Sequence, residues 1–248
     1  MPSLGIGLGL TVWRRGAAAF TPALVSGYLG GIYAGPARSA GLLWQDSGES
    51  TPATADTDPV YVAGDPYSAT EMTTNSDAKR CILHAESGGK WSLGGNGVNS
   101  TLETGFASRS GEFCFYCAAV RAGATGTELV ALASQADATF VGWFSDDRFY
   151  IGGPSGIYLS TASAVSTTVV RGRRNAGGTC YLRFGGGAEV SIGSGLSGVT
   201  LGFTNILDWP ANHTSAATNH LAGIALYSAT PSAGDDADLM AFFEGLLP

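Results

Sequence analysis

Short apolar runs recur along the chain from residue 81 onward, and pairs of glycines or aspartates separate them. Turn signals such as Gly88-Gly89 and Asp146-Asp147 divide the runs at intervals typical of antiparallel strands in a β-sandwich. The predicted strands are Arg80–His84, Lys90–Leu93, Glu112–Arg121, Glu128–Ser134, Thr139–Phe144, Arg148–Gly152, Thr167–Arg174, Thr179–Phe184, Ala188–Ile192, Val199–Phe203 and Leu221–Ser228.

One segment near the carboxyl end has helical periodicity instead. Thr230 or Ser232 can cap it, and three aspartates fall near its first turn, where they favour a helix start. Its apolar positions recur at the spacing of one helix face, at Leu239, Met240, Phe242, Phe243, Leu246 and Leu247. The fold class predicted from these patterns is all-β, an antiparallel sandwich with one short C-terminal helix.

Residues 1–35 have a different pattern and are predicted to form an extended arm. Gly5, Gly7 and Gly9 alternate with apolar residues, so one face of a strand here would be bare and able to lie against another backbone. The side chains expected to make the assembly contacts of this arm are Leu4, Ile6, Leu8, Leu10 and Trp13. Residues 36–248 then form the sandwich domain, in which the proline-rich segment 36–80 is predicted to hold loops and a few short strands.

Three segments of the chain resemble a known family. They are Leu43–Ser47 followed by Thr51–Thr54 and Asp58–Val60, the strand Phe113–Val120, and the ending Leu221–Tyr227 with Pro231-Ser232 and the helix to Leu246. Over roughly residues 40–247 the chain resembles the concanavalin A-like (laminin-G-like) jelly-roll domains of bacteriophage structural proteins. The resemblance implies a jelly-roll sandwich and a role as a tail fibre, spike or capsid-decorating component of a virion.

Composition excludes several function classes. The 248 residues carry a net charge of −7, and the 13 Lys and Arg residues are scattered, so a nucleic-acid partner is not expected. No apolar stretch approaches the roughly 20 residues of a membrane span, and the amino end lacks the charge order of a signal peptide. The four cysteines are too few for a disulfide framework and are expected to be buried thiols.

The sequence offers no catalytic constellation. Glu128, Asp137, Glu189 and Glu244 each stand alone on their segments, whereas a retaining glycosidase needs two neighbouring carboxyl groups. No Gly-x-Ser-x-Gly nucleophile motif is present. We therefore expect no catalytic residues, no cofactor and no enzymatic activity.

No metal or redox site is expected either. Residues three apart on a strand face opposite ways, so the pair Cys114 and Cys117 does not suit a redox or zinc site. Asp56, Asp58, Asp65 and Asp77 lack the regular spacing of a calcium loop, which favours turn acids over metal ligands.

A polar loop near the carboxyl end is the candidate ligand site. Its aromatic, amide and imidazole side chains suit a sugar ring, and the expected contacts are Trp209, Asn212, His213, Asn219 and His220. A carbohydrate-binding module would also present aromatic residues on one sheet face, with candidates Trp143, Phe144, Tyr150, Tyr158 and Trp209.

The leading expectation is a non-enzymatic virion protein, made in the host cytoplasm, whose partners are other virion proteins and copies of itself. A homotrimer that contacts a host surface glycan is the specific form expected. The alternatives are a lectin-like carbohydrate-binding module and, second, a glycoside hydrolase of jelly-roll fold.

Overall fold

A computed structural model gives the fold of the chain. It describes residues 20–248 except 97–99, 122–126, 135, 137, 163–165, 210–212 and 215–217. The predicted assembly contacts Leu4, Ile6, Leu8, Leu10 and Trp13 lie outside the described residues.

The described chain is dominated by short strands. In chain order they are β1 (Tyr28–Tyr33), β2 (Leu43–Trp44), β3 (Pro59–Val60), β4 (Val62–Gly64), β5 (Glu71–Thr73), β6 (Cys81–Ala85), β7 (Trp91–Gly94), β8 (Leu102–Glu103), β9 (Phe113–Arg121), β10 (Leu129–Ser134), β11 (Thr139–Trp143), β12 (Arg148–Gly153), β13 (Ile157–Ala162), β14 (Thr168–Arg174), β15 (Cys180–Phe184), β16 (Val190–Gly193), β17 (Asn205–Ile206), β18 (Asp208–Trp209), β19 (His213–Thr214) and β20 (Asn219–Tyr227). The two α-helices are α1 (Ala34–Ser39) and α2 (Ala233–Glu244). None of the helices among the described residues is long and apolar enough to cross a membrane.

The strands form two nine-stranded antiparallel sheets and one small hairpin. The first sheet has the order β16-β15-β14-β9-β20-β7-β6-β3, and β1 also pairs with β20. The second sheet has the order β13-β12-β11-β10-β17-β8-β5-β4-β2, and the hairpin is β18-β19. The predicted all-β sandwich with a helix at its carboxyl end is confirmed.

The inner faces of the two sheets enclose one apolar core. Strand β9 lines this core, yet its apolar residues form a continuous run and do not alternate with polar ones. Phe113, Phe115 and Cys117 point into that core, while Cys114 and Tyr116 point to the other side of the sheet. All nine residues of the strand are buried, because both faces of the first sheet are covered at this position.

Helix α2 provides that second cover. Ser232 caps it by accepting a hydrogen bond from the amide of Asp235, and Leu239, Met240 and Phe243 are buried against the outer face of the first sheet. Asp236, which is 8% exposed, receives the Tyr116 hydroxyl at 2.6 Å. It also pairs with two arginines of β14 and β15, Arg171 at 2.7 Å and Arg183 at 3.1 Å. Buried apolar side chains and buried ion pairs thus both hold α2 against the first sheet.

The segment predicted as an arm contributes a strand to the first sheet. Residues 28–33 form β1, which pairs with β20 from Tyr28↔Tyr227 to Tyr33↔Gly223. Buried Asp65 fixes this strand, because it accepts hydrogen bonds from the Tyr28 hydroxyl and from the Gly31 amide at 3.1 Å. The described part of the arm is therefore integral to the sandwich, and the domain boundary after residue 35 stays a prediction.

One predicted strand is not formed. In the segment Val199–Phe203 the structure has only an isolated bridge between Leu201 and Arg109. Backbone groups of this segment bond to side chains from other strands instead: the Val199 carbonyl accepts from the guanidinium of buried Arg174 at 2.6 Å, and the Gly202 amide donates to the Thr139 hydroxyl at 2.9 Å.

Candidate functional site

The outer face of the second sheet carries a cluster of aromatic side chains around a depression of about 350 Å³. We call this cluster the aromatic patch and define it as Phe144, Asp146, Tyr150 and Tyr158. The rings of Phe144 and Tyr150 meet edge to face with centroids 4.8 Å apart, and Tyr158 lies 6.1 Å from Phe144 and 6.4 Å from Tyr150. Tyr158 is 39% exposed, so the patch faces solvent.

Strand alternation, strand register and one glycine build the depression. Successive side chains alternate between faces, so Trp143 and Phe149 enter the core while Phe144 and Tyr150 point outward. The register places Gly142 opposite Tyr150 and Gly152 opposite Tyr158. Because Gly152 has no side chain, the Tyr158 ring has room to lie against the sheet, where a Cβ on Gly152 would come within 2.2 Å of the ring.

The patch has a rigid floor and a fixed carboxylate. Fully buried Phe140 lies beneath Phe144 with ring centroids 4.3 Å apart. The Tyr150 hydroxyl donates a hydrogen bond of 2.6 Å to Oδ2 of Asp146. Burial and this hydrogen bond raise the pKa of Tyr150 above its usual value, so the phenol stays protonated and continues to donate. The second oxygen, Oδ1, accepts a hydrogen bond from the Arg148 amide at 3.2 Å, and its other lone pair is available to a ligand donor.

A second depression on the same sheet is polar. It has a volume of about 620 Å³, its lining includes Glu103 of β8 and Asn205 of β17, and we call it the polar cleft. The Asn75 amide donates to Glu103 at 2.7 Å, and the Asn205 amide donates to Thr101 at 3.0 Å. These mutual hydrogen bonds hold amide, hydroxyl and carboxylate groups in place along the cleft.

The structure separates the five residues predicted as ligand contacts. Trp209 and His213 pair with each other in the β18-β19 hairpin, which lies beside β10 of the second sheet, and Asn212 lies outside the described residues. Asn219 is fully buried, and its amide donates to the Thr127 hydroxyl at 2.9 Å and to a backbone carbonyl at 3.0 Å. Its side chain therefore ties β20 to the segment that precedes β10.

His220 lies on the first sheet, away from the aromatic patch. Its ring stacks on that of His84 with centroids 3.9 Å apart and an interplanar angle of 3°. Nδ1 of His220 lies 2.7 Å from Glu86, which also accepts a hydrogen bond from Ser92 at 2.5 Å. Sequence reasoning missed this stacking because the two histidines are far apart in the chain.

Among the aromatic candidates, the prediction for Trp143 is wrong, because this side chain is fully buried in the core. Phe144, Tyr150 and Tyr158 do come together. The polar cleft was missed, since β8 and β17 are only two residues long and give no periodic signal.

Cys114, Cys117 and Asp58, which the sequence raised as metal or redox candidates, take part in packing and backbone hydrogen bonds. Cys114 faces α2 and Cys117 faces the core, as their spacing predicts, and burial raises the pKa of the Cys114 thiol to about 12. Asp58 accepts two backbone amides at 2.7 Å. Within the described ranges, no group of three or more histidine, cysteine or carboxylate side chains is placed to hold a metal ion.

No protein-family model matches the chain, and no curated protein matches it. Solved structures share the fold. One is a Trypanosoma rangeli sialidase in complex with the inhibitor DANA, at 13% identity and a TM-score of 0.51 over 91% of this chain and 34% of the sialidase. Another is an arabinofuranosidase complexed with arabinofuranosyl-alpha-1,2-xylobiose, at 10% identity and a TM-score of 0.52 over 75% of this chain and 50% of that enzyme.

The binding domain of botulinum neurotoxin serotype D/C is also similar, at 10% identity and a TM-score of 0.45 over 76% of this chain and 52% of that chain. The chain thus spans about a third to half of the structures it matches. The expectation that the chain is not an enzyme is corrected by these comparisons, because a sialidase and an arabinofuranosidase share its fold. At such low identity the likeness shows the fold alone, which is that of a jelly-roll-type β-sandwich.

Proposed function

We propose that the chain binds carbohydrate on the outer face of its second sheet. The observation that carries the proposal is the aromatic patch, in which three half-exposed or exposed rings surround a fixed carboxylate above a buried aromatic floor. Binding sites for small molecules combine apolar and aromatic walls with a few well-placed polar groups, and the patch has this composition.

The chemistry of the patch suits a sugar ring. A sugar presents C–H groups on its faces and hydroxyl groups at its edges, so it needs an apolar surface next to hydrogen-bond partners. Tyr150 and Tyr158 supply apolar ring faces with polar tips, and Asp146 supplies acceptor oxygens. Contacts of carboxylates with hydroxyl donors are among the stronger hydrogen bonds in proteins.

The polar cleft extends the proposed site. Three strand spacings, each about 4.8 Å, separate β12 of the patch from β17 of the cleft, or about 14 Å along the sheet. A ligand that contacts both is therefore an oligosaccharide and not a single sugar. One of the enzymes of similar fold is an arabinofuranosidase in complex with arabinofuranosyl-alpha-1,2-xylobiose, which is in keeping with this use of the fold.

A glycan array followed by calorimetry on the best ligand tests the proposal. We expect Tyr158→Ala and Asp146→Asn to weaken binding at least about tenfold, since each removes a contact worth about 1.5 kcal/mol or more. Tyr181→Ala is the matched control, because Tyr181 is a half-buried tyrosine of the first sheet that packs on Arg173. Failure of the intact protein to bind any glycan, or equal binding by both patch variants, would refute the proposal.

The same ligands test hydrolysis. Chromatography of each bound glycan after incubation with the wild type reports whether it is cleaved. Loss of cleavage in Glu103→Gln with binding retained, or in Asp146→Asn at glycan concentrations that saturate the variant, would assign a catalytic carboxylate on this face.

The more specific role in a virion, with copies of the chain as partners, remains a proposal that rests on the sequence resemblance. Deleting residues 1–35 would also remove β1, so a deletion of residues 1–19 is the appropriate variant. We expect the full chain to assemble and the shortened chain to lose assembly by native mass spectrometry. An equal number of chains per particle for both would contradict a role of the arm in assembly.

A further inference from the structure

A cationic pocket lies on the other side of the molecule from the aromatic patch. Its volume is about 400 Å³, and it forms where α1, the start of β7 and the end of α2 meet. Arg38 and Lys90 line it together with Trp91. Among the described residues that line the pocket, none is acidic, although the whole chain has a net charge of −7.

The two cations are held in place by neighbouring groups. The guanidinium carbon of Arg38 lies 3.9 Å from the centre of the Trp91 ring, and Nε of Arg38 donates to the Thr54 carbonyl at 2.8 Å. Lys90 Nζ donates to the Gly245 carbonyl, just after α2. These contacts restrict both long side chains, so less conformational entropy is lost when a ligand binds.

The same contacts leave hydrogen-bond donors available. The structure gives the two terminal nitrogens of Arg38 no protein acceptor among the described residues, and Lys90 Nζ uses one of its three N–H groups. A planar guanidinium edge beside an ammonium group is the donor arrangement that binds carboxylate, sulfate and phosphate oxygens.

We propose that this pocket binds the oxyanion group of a small acidic ligand of about monosaccharide size. The proposal is independent of the carbohydrate site, because the pocket belongs to the first sheet and α1 and shares no residue with the aromatic patch or the polar cleft.

The test is a titration of the ¹⁵N-labelled full chain with glucuronate, glucose 6-sulfate, glucose 6-phosphate and neutral glucose. The reporters are the Trp91 indole resonance, assigned by comparison with Trp91→Phe, and the amides of residues 89–91. We expect at least one anionic sugar to shift these resonances saturably, and glucose to leave them unchanged. The three anionic sugars distinguish carboxylate, sulfate and phosphate as the recognised group.

Variants of the two cations decide whether the pocket is responsible. Arg38→Gln and Lys90→Gln should each weaken binding at least about tenfold. Arg148→Gln removes an exposed arginine of the second sheet and should bind as the wild type does. If Arg38→Gln fails to fold, Lys90→Gln decides alone. The proposal is overturned if no anionic sugar shifts the reporters, if glucose shifts them equally, or if folded variants bind as tightly as the wild type.

Discussion

Replacing Arg174 with methionine removes a buried cation that joins two loops to the end of β14. Arg174 is 1% exposed, and its guanidinium donates to four backbone carbonyls. They belong to Gly111 at 2.7 Å, Arg109 at 2.8 Å, Val199 at 2.6 Å and Leu196 at 3.1 Å. Methionine keeps much of the apolar volume and removes all the donors.

The expected loss follows from which carbonyls keep a partner. The Leu196 carbonyl also accepts from the amide of Val199, and the Arg109 carbonyl also accepts from the amide of Leu201. Among the described residues, Arg174 is the donor that the structure gives to the carbonyls of Gly111 and Val199. The substitution therefore leaves these two carbonyls without a donor. An unsatisfied buried acceptor costs about 1–3 kcal/mol, or about 2–6 kcal/mol for two.

Two effects reduce that sum. Water can reach part of the site, because Gly111 is exposed. The variant also avoids the cost of burying a charge, a cost visible in the pKa of Arg174, which burial lowers. We therefore expect Arg174→Met to lower the free energy of unfolding by about 2–4 kcal/mol and the melting temperature by roughly 5–15 °C.

Chemical unfolding followed by circular dichroism measures this difference. Arg148→Met is the matched control, because it removes an exposed arginine and should change stability by less than about 0.5 kcal/mol. Arg174→Lys keeps the charge but offers three donors from one nitrogen, so its stability should fall between those of the wild type and Arg174→Met. A midpoint for Arg174→Met equal to that of the wild type would refute the reasoning.

Three further changes test other parts of the fold. Asp236→Asn should cost about 3 kcal/mol in thermal unfolding by breaking the ion pairs beneath α2, whereas Asp238→Asn on its exposed side should be neutral. Burial and the stacked second histidine lower the pKa of His84 below 6.5, so the unfolded chain binds a proton at His84 at a higher pH than the folded chain does. The free energy of unfolding should thus decline as pH falls below 6.5, and it should decline less steeply in His84→Gln. Urea midpoints of both proteins at two pH values measure this difference. Gly142→Ala should cost about 3 kcal/mol or more in urea unfolding, because a Cβ there overlaps a backbone carbonyl of β10, whereas Gly105→Ala meets open space and serves as the control.

Much of the sandwich is predictable because strand length and turns are local properties. The run from Phe113 to Val120 is apolar throughout and is bounded by Glu112 and Arg121, so its strand is found within one residue. β1 is not found, because Gly30 and Gly31 interrupt its pattern. Gly31 is required by a close approach to β20, where an added Cβ would lie 2.6 Å from the Ile224 carbonyl. That requirement comes from a strand far along the chain and leaves no local signal.

The candidate site was predictable in part for the same reason. Trp143 and Phe144 are adjacent on an extended segment, so at most one of them can face solvent, and alternation with core residue Val141 assigns Trp143 to the inside. Which outward residues meet is decided by strand register. The pairs Gly142↔Tyr150 and Gly152↔Tyr158 bring the rings together, and register between strands is not encoded within either strand alone.

The two outer faces of the sandwich differ, and this difference yields a last prediction. Helix α2 covers the first sheet and is held by Asp236, while the aromatic patch on the second sheet has no helix over it among the described residues. A close-packed core lies between the faces, so loosening the helix should not move the patch while the protein stays folded. Asp236→Asn is therefore expected to keep the glycan affinity of the wild type at temperatures well below its melting point, as calorimetry would show. A loss of affinity equal to that of Tyr158→Ala would mean that the two faces are coupled through the core, and the binding site could not then be assigned to the second sheet alone.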